Sequence, residues 1–328
     1  AAERNTGFLE ACAKRLPCVN FVDADSGRIW LRIERGVPVW ADAAGIEQIV
    51  VNAGDGDDQV RMDESNGAFN VGIPTRINGG DGDDTIAGGA GAETLRGGDG
   101  NDSIDGNAGA DVGLMGDGDD TFVWDNGDGS DVIEGQEGAD TMIFNGAAGA
   151  EQFDLSANGN RLRFFRVQGN ITMDTAGVER VEVNAFGGAD LVTLNDLTGT
   201  DVTEVNVDLA ATPGGLTGDG AADRVVVNAT NGDDTITVSG DAAGVAVSGL
   251  SALVTMQHQE PANDALAVNA LGGDDGVTAT TLAAGVIKLT IDGGAGDDDI
   301  LGSQGADVFL GSDGDDFMLG DDGNDLAL

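Results

Sequence analysis

Residues 79–105, GGDGDDTIAGGAGAETLRGGDGNDSID, are one nine-residue unit written three times. So short and strict a period leaves few folds open, because every unit must take the same shape and bury its apolar side against the next. Registered on the first glycine, blocks begin at Gly79, Gly88, Gly97, Gly106, Met115, Asn126 and Gly135, with two residues inserted before Asn126. A second array begins at Gly293, Gly302, Gly311 and Gly320. The sixth position reads Asp84, Glu93, Asp102, Asp111, Asp120, Asp131, Asp140, then Asp298, Asp307, Asp316, Asp325. The eighth reads Ile86, Leu95, Ile104, Gly113, Phe122, Ile133, Met142, then Ile300, Phe309, Met318, Ala327.

Each position has a physical task. Glycine tolerates backbone angles that a Cβ forbids, so the first six residues can close a tight loop. The last three can form only a short strand, with the eighth side chain pointing inward. Two units then make a flattened coil of 18 residues with a turn at each edge. Stacking such coils lines up the sixth-position carboxylates ~5 Å apart, where like charges repel strongly. A hard divalent cation held by carboxylate and backbone carbonyl oxygens between coils relieves that repulsion. Calcium, which accepts six to eight oxygens in irregular geometry, suits this better than magnesium. Zinc does not suit a chain with one histidine and two distant cysteines.

Coil stacking predicts which carboxylates share cations. Asp58, Asp84, Asp102 and Asp120 form one edge column, and Glu93, Asp111 and Asp131 the opposite one. The second array gives Asp275–Asp298–Asp316 and Asp307–Asp325, and Asp140 completes the set of candidate metal ligands. Asp190 and Asp234 have no evident acidic neighbour one coil away and read as plain turn aspartates.

The pattern G-G-x-G-x-D-x-U-x, with U a large apolar residue, resembles the hemolysin-type, or repeats-in-toxin (RTX), calcium-binding repeat. That resemblance implies a parallel β-roll with calcium between turns, export from bacteria and calcium-triggered folding. Glu93 at a sixth position, Gly113 at an eighth, and Met115 and Asn126 at first positions depart from the pattern.

Composition agrees with a cation-dependent exported protein. The net charge is −44, from 59 acidic and 15 basic residues, which repels nucleic acid and anionic lipid and attracts cations. No stretch approaches a membrane span. The chain starts at Ala1 without an apolar signal core, which reads as a form whose export signal has been removed; a trimmed chain would look the same. Cys12 and Cys18 read as a local disulfide, with two buried free thiols as the alternative. Residues 6–16 read as a short helix stopped by Pro17, within a cap over residues 1–44.

The arrays occupy 45–144 and 293–328. Between them, 145–292 repeats V-N-A-x-x-G-x-D at Val181, Val225 and Leu266, as does Ile49 upstream. Strand residues Val183, Val205, Val227, Val247, Val268 and Ile291 recur every 20–23 residues, and triplets such as VEV and VAV alternate like strands. We read one all-β parallel β-roll or β-solenoid, with 18-residue calcium-binding coils and longer coils of about 20–26 residues. A separate β-sandwich over 145–292 is the alternative.

Catalytic motifs are missing. There is no H-E-x-x-H, no G-x-S-x-G and no tyrosine, which removes the protease and lipase readings and weakens an epimerase or lyase reading. The lone His258 reads as a surface or packing residue. Asp23, Asp25 and Glu34 echo an EF-hand, but Arg28 stands where the hand needs glycine, so the segment reads as a β-hairpin. The run RLRFFR (161–166) reads as one strand face, or else as a contact for a neighbour's acidic edge. No enzyme is expected. Two function classes survive: an extracellular structural protein that self-assembles end to end into a filament, layer or matrix, and a monomeric calcium-dependent adhesin or ligand-binding module.

Overall fold

The computed structural model describes residues 7–12, 19–24, 28–33, 39–42, 46–63, 68 and 70–328. Every regular element among them is a strand. Two compact units are present, Ala1–Ile143 with Thr172–Val178, and Phe144–Ile171 with Glu179–Leu328.

In the first unit, one sheet runs in parallel through Gly7–Cys12, Ile46–Asp55, Thr75–Asp81, Glu93–Asp99, Val112–Asp117, Val132–Glu137 and Ile171–Ala176. The second sheet stacks Val19–Ala24, Gln59–Asp63, Thr85–Ala87, Ser103–Asp105 and Thr121–Trp124 in parallel. The chain alternates between the sheets, one strand each per coil, and glycine-rich turns join them. Apolar eighth-position side chains fill the space between. Ile86, Leu95, Ile104, Phe122, Ile133 and Met142 are all at most 1% exposed. Gly113 leaves no hole, because a Cβ there would lie 2.8 Å from the Phe122 ring, which occupies the space.

The N-terminal helix expected over 6–16 is not found. Gly7–Cys12 is a strand paired in parallel with Ile46–Asp55. An isolated helix this short gains little, whereas the first coil offers a row of unpaired backbone groups. Cys18 lies outside the described residues, as does the Cys12 side chain, and with them the disulfide. Val19–Ala24 and Arg28–Ile33 pair antiparallel as a hairpin, in place of an EF-hand.

The second unit is also built of two mainly parallel sheets. One contains Gln152–Asn158, Leu191–Leu194, Arg224–Asn228, Ala265–Asn269, Lys288–Ala295, Val308–Asp313 and Leu326–Ala327 in parallel. The other runs from Arg180–Asn184 to Phe317–Leu319. Parallel coils therefore replace the alternative antiparallel sandwich over 145–292. Coil length, however, exceeds the expected 20–26 residues. Equivalent turn residues are 39, 33 and 41 apart across 151–264, against 18 in the arrays. Antiparallel additions account for much of the excess. Arg161–Arg166 folds back on Gln152–Asn158, and Gly244–Ser248 sits between Thr235–Asp241 and Leu253–Gln257. Val247, taken from the sequence as a coil of its own, belongs to this inserted strand.

Within the second unit, RLRFFR is a strand with two faces. Leu162 and Phe164 are buried, and Phe164 packs against Phe144 and Phe153 at centroid distances of 4.3 and 5.9 Å. Outside, Arg163 lies 4.4 Å over the Phe165 ring and 3.3 Å from Asp154. His258 Nδ1 lies 2.6 Å from Asp208 Oδ1.

Candidate metal centre

The tight turns put the sixth-position residue of each coil directly over that of the next. The backbone N–H of Asp58 donates to Asp84 Oδ1 at 2.8 Å, Asp84 to Asp102 at 2.8 Å, Asp102 to Asp120 at 2.7 Å, and Asp120 to Asp140 at 2.9 Å. On the opposite edge Glu93 donates to Asp111 and Asp111 to Asp131, at 2.7 and 2.8 Å. In the second unit Asp234, Asp275, Asp298 and Asp316 form one such ladder, and Asp307 and Asp325 another.

Sequence reasoning missed one ladder entirely. Glu151 donates to Asp190 Oδ1, Asp190 to Asp223 and Asp223 to Asp264, at 2.7, 2.8 and 3.0 Å. Asp190 therefore has acidic neighbours on both sides, and Asp234 has Asp275; neither is a plain turn aspartate. The signal was an Asp one residue before each valine strand, at Asp190, Asp223 and Asp264.

The ladder uses one carboxylate oxygen and leaves the other inside the turn. Asp58, Asp84, Asp102, Asp111, Asp120, Asp131, Asp190, Asp275 and Asp298 are at most 6% exposed, and their Oδ2 atoms are buried without a hydrogen-bond partner. Three of the turns close tightly around this atom: a Cβ on Gly79, Gly97 or Gly293 would lie 2.0, 2.1 or 2.2 Å from Oδ2 of Asp84, Asp102 or Asp298. A buried carboxylate oxygen with no donor costs several kcal/mol, about as much as an unpaired buried charge is expected to cost. A cation at that oxygen removes the penalty, so the residues fit calcium. Among the described residues no group of three or more His, Cys, Asp or Glu side chains is placed to hold a metal ion; turn carbonyls must complete the coordination.

Other sixth positions satisfy that oxygen with protein donors. Glu93 accepts from Gly89 N–H at 2.8 Å and from Asn70 Nδ2 at 2.6 Å. Asp307 Oδ2 accepts from Ser303 N–H at 2.7 Å, and its Oδ1 from Ser303 Oγ at 2.8 Å. Glu151 is held by the buried guanidinium of Arg166. At these rungs the carboxylate oxygens have protein donors.

A further acidic layer lines one edge of the first array. Asp55, Asp81, Asp99 and Asp117 stand in register at the strand ends. Asp83 N–H donates to Asp57, Asn101 to Asp83 and Asp119 to Asn101, in a sense opposite to the buried ladder. The other edge carries Ala90, Ala92, Ala108 and Ala110 at the corresponding turn positions.

Burial pushes the ladder carboxyls up, and neighbouring carboxylates add to it. Asp84 and Asp131 rise to about 6, Asp102 and Asp190 to about 7, and Asp111 to about 8. Between the ordinary carboxylate range and these values the folded chain holds protons that the unfolded chain has released. Stability without metal is thus greatest on the acid side and falls as pH rises through 6 to 8. In chelator, more of the strand signal is expected to survive at pH 5 than at pH 8. A metal-free strand signal independent of pH, measured by circular dichroism, would contradict this assignment. Since cation and proton contend for the same oxygens, calcium binding at pH 6 should also release protons.

The RTX calcium-binding nonapeptide repeat model matches in four copies, at residues 76–92, 88–122, 126–149 and 292–327. A search of curated proteins gives no match. Among solved structures, the crystal structure of extracellular lipase LipA from Serratia marcescens aligns at 11% identity and a TM-score of 0.16, over 62% of this chain. The aligned chain spans 43% of that lipase's length. On its two glycine–aspartate arrays, this chain carries the hemolysin-type RTX calcium-binding repeat.

Proposed function

We propose that this is a non-catalytic extracellular structural protein, rigidified by calcium and joined end to end with copies of itself. The calcium part rests on the buried, unpartnered Oδ2 atoms of the ladders. An extracellular setting suits sites with few carboxylates per ion, which are expected to need ~0.1–1 mM calcium.

Self-assembly rests on the outermost strands of the second unit, Phe317–Leu319 and Leu326–Ala327. Phe317, Leu319, Leu326 and Leu328 are 55, 53, 51 and 68% exposed. Edge strands with exposed apolar side chains are templates for another chain. Such a contact is heterologous, so it propagates into filaments unless it closes into a ring.

Sedimentation velocity at millimolar calcium tests this. Species that grow with concentration are expected, and the double change Phe317→Asp with Leu326→Asp should abolish them. A single monomeric boundary at all concentrations would reject assembly and favour a monomeric adhesin or ligand-binding module.

A further inference from the structure

We propose a divalent-cation site at the Asp190 rung, in the stretch between residues 149 and 292 that the repeat model does not match. The inference rests on the calcium reading of the arrays, because Asp190 repeats the hydrogen bonds of an array rung, with Ala185 standing where the turns at Asp84, Asp102 and Asp298 have glycine. Its Oδ1 accepts from the Glu151 N–H at 2.7 Å, and its own N–H donates to Asp223 Oδ1 at 2.8 Å. Its side chain is buried at 3% exposure, and Oδ2 has no hydrogen-bond partner. The coils also approach as closely as in the arrays, since a Cβ on Gly188 would lie 2.4 Å from the Ala150 nitrogen.

Asp219 adds what the array turns lack. Its Oδ2 accepts from the Gly188 N–H at 2.6 Å, inside the turn that carries Asp190, and its Oδ1 from the Ala221 N–H at 2.7 Å. A second carboxylate is thereby fixed across the mouth of the Asp190 turn. Negative charge on Asp190, Asp219 and Asp223 favours a cation over a neutral water at the unpartnered oxygen.

The neighbouring rungs show where a cation is not needed. Glu151 is neutralised by Arg166 and also accepts from the Ala147 N–H. Asp264 Oδ2 accepts from the Glu260 N–H at 2.6 Å. Asp234, on the other edge, has its Oδ2 taken by the Thr230 N–H and hydroxyl at 2.9 and 2.8 Å. Across 151–264 an arginine, a backbone N–H or a hydroxyl thus takes the second oxygen at Glu151, Asp264 and Asp234, whereas Asp190 carries a fully buried ladder oxygen without a hydrogen-bond partner. The class of ligand is a hard divalent ion, calcium foremost, completed by turn carbonyls and water.

Calorimetric titration of the chelated full chain with calcium tests the site. Asp190→Asn is expected to bind one ion fewer than the unaltered chain while the array ions remain. Asp219→Asn should weaken that one site about tenfold or more. Anomalous diffraction from unaltered crystals grown in calcium reads the same site without a variant, as a peak on Asp190 Oδ2. An unchanged ion count, or array peaks with none at Asp190, would overturn the proposal. No bound calcium anywhere would instead overturn the reading of the arrays.

Discussion

Removing calcium at neutral pH is expected to unfold both rolls. With EDTA in excess, the strand signal in circular dichroism should collapse, and added calcium should restore it. The reason is electrostatic. The chain carries −44 net charge with only 15 basic residues to offset it. At Asp58, Asp84, Asp102, Asp111, Asp120, Asp131, Asp190, Asp275 and Asp298 its ladders hold a buried carboxylate oxygen that no described protein group satisfies. Binding that is confined to the folded state contributes about 3–4 kcal/mol per site at 100 to 1,000 times the dissociation constant. Several such sites together outweigh a typical net stability of about 5–15 kcal/mol. Magnesium should restore the fold poorly, because it gives up its water reluctantly and demands regular octahedral geometry. A spectrum and melting point indifferent to chelation would sink the metal assignment.

The parts of this fold that were legible in the sequence are those fixed by a rigid period. A nine-residue repeat pins every side chain to the inside or the outside, so Ile86, Leu95 and Phe122 could be placed in the core and Asp84, Asp102 and Asp120 in one column. The period fails between the arrays. Asp190 and Asp223 stack although 33 residues separate them, and Asp223 and Asp264 although 41 do. The intervening lengths differ, so no fixed step finds the ladder. Alternating valines do not help either, because Val245 and Val247 in an inserted antiparallel strand look the same as Val225 and Val227 in a parallel one. The closure of the Glu151 rung by Arg166 depends on a hairpin that folds Arg166 back beside it. At the N-terminus, local preference pointed to a helix, and pairing with Ile46–Asp55 overrode it. Tertiary backbone pairing of that kind leaves no trace in a local window.

Gly98→Ala is expected to be strongly damaging to the first array. Gly98 has φ +134°, and a Cβ there would lie 1.9 Å from the Gly80 carbonyl oxygen. Two costs combine. The backbone angle is strained for any L side chain, by roughly 1–3 kcal/mol. The coils must also move apart at a point where Gly80, Gly98 and Gly116 are in register. That separation stretches the Asp84–Asp102 and Asp102–Asp120 rungs, now 2.8 and 2.7 Å, and loosens the cation sites they frame. A total loss of about 3 kcal/mol or more follows, or roughly 6 °C or more in melting temperature at saturating calcium. Two other glycines separate the causes. Gly72 has φ +79° but open space around its Cβ position, so Gly72→Ala carries only the backbone strain. Gly149 has neither a positive φ nor a neighbour within 4 Å, so Gly149→Ala should be close to neutral. Melting by differential scanning calorimetry should rank the three as Gly98 worst, Gly72 intermediate and Gly149 least, with a drop in bound calcium for Gly98→Ala alone. If Gly98→Ala melted together with Gly72→Ala and kept its full calcium count, backbone strain would be the whole effect. Close stacking of the coils would then not be what holds the cation sites in shape.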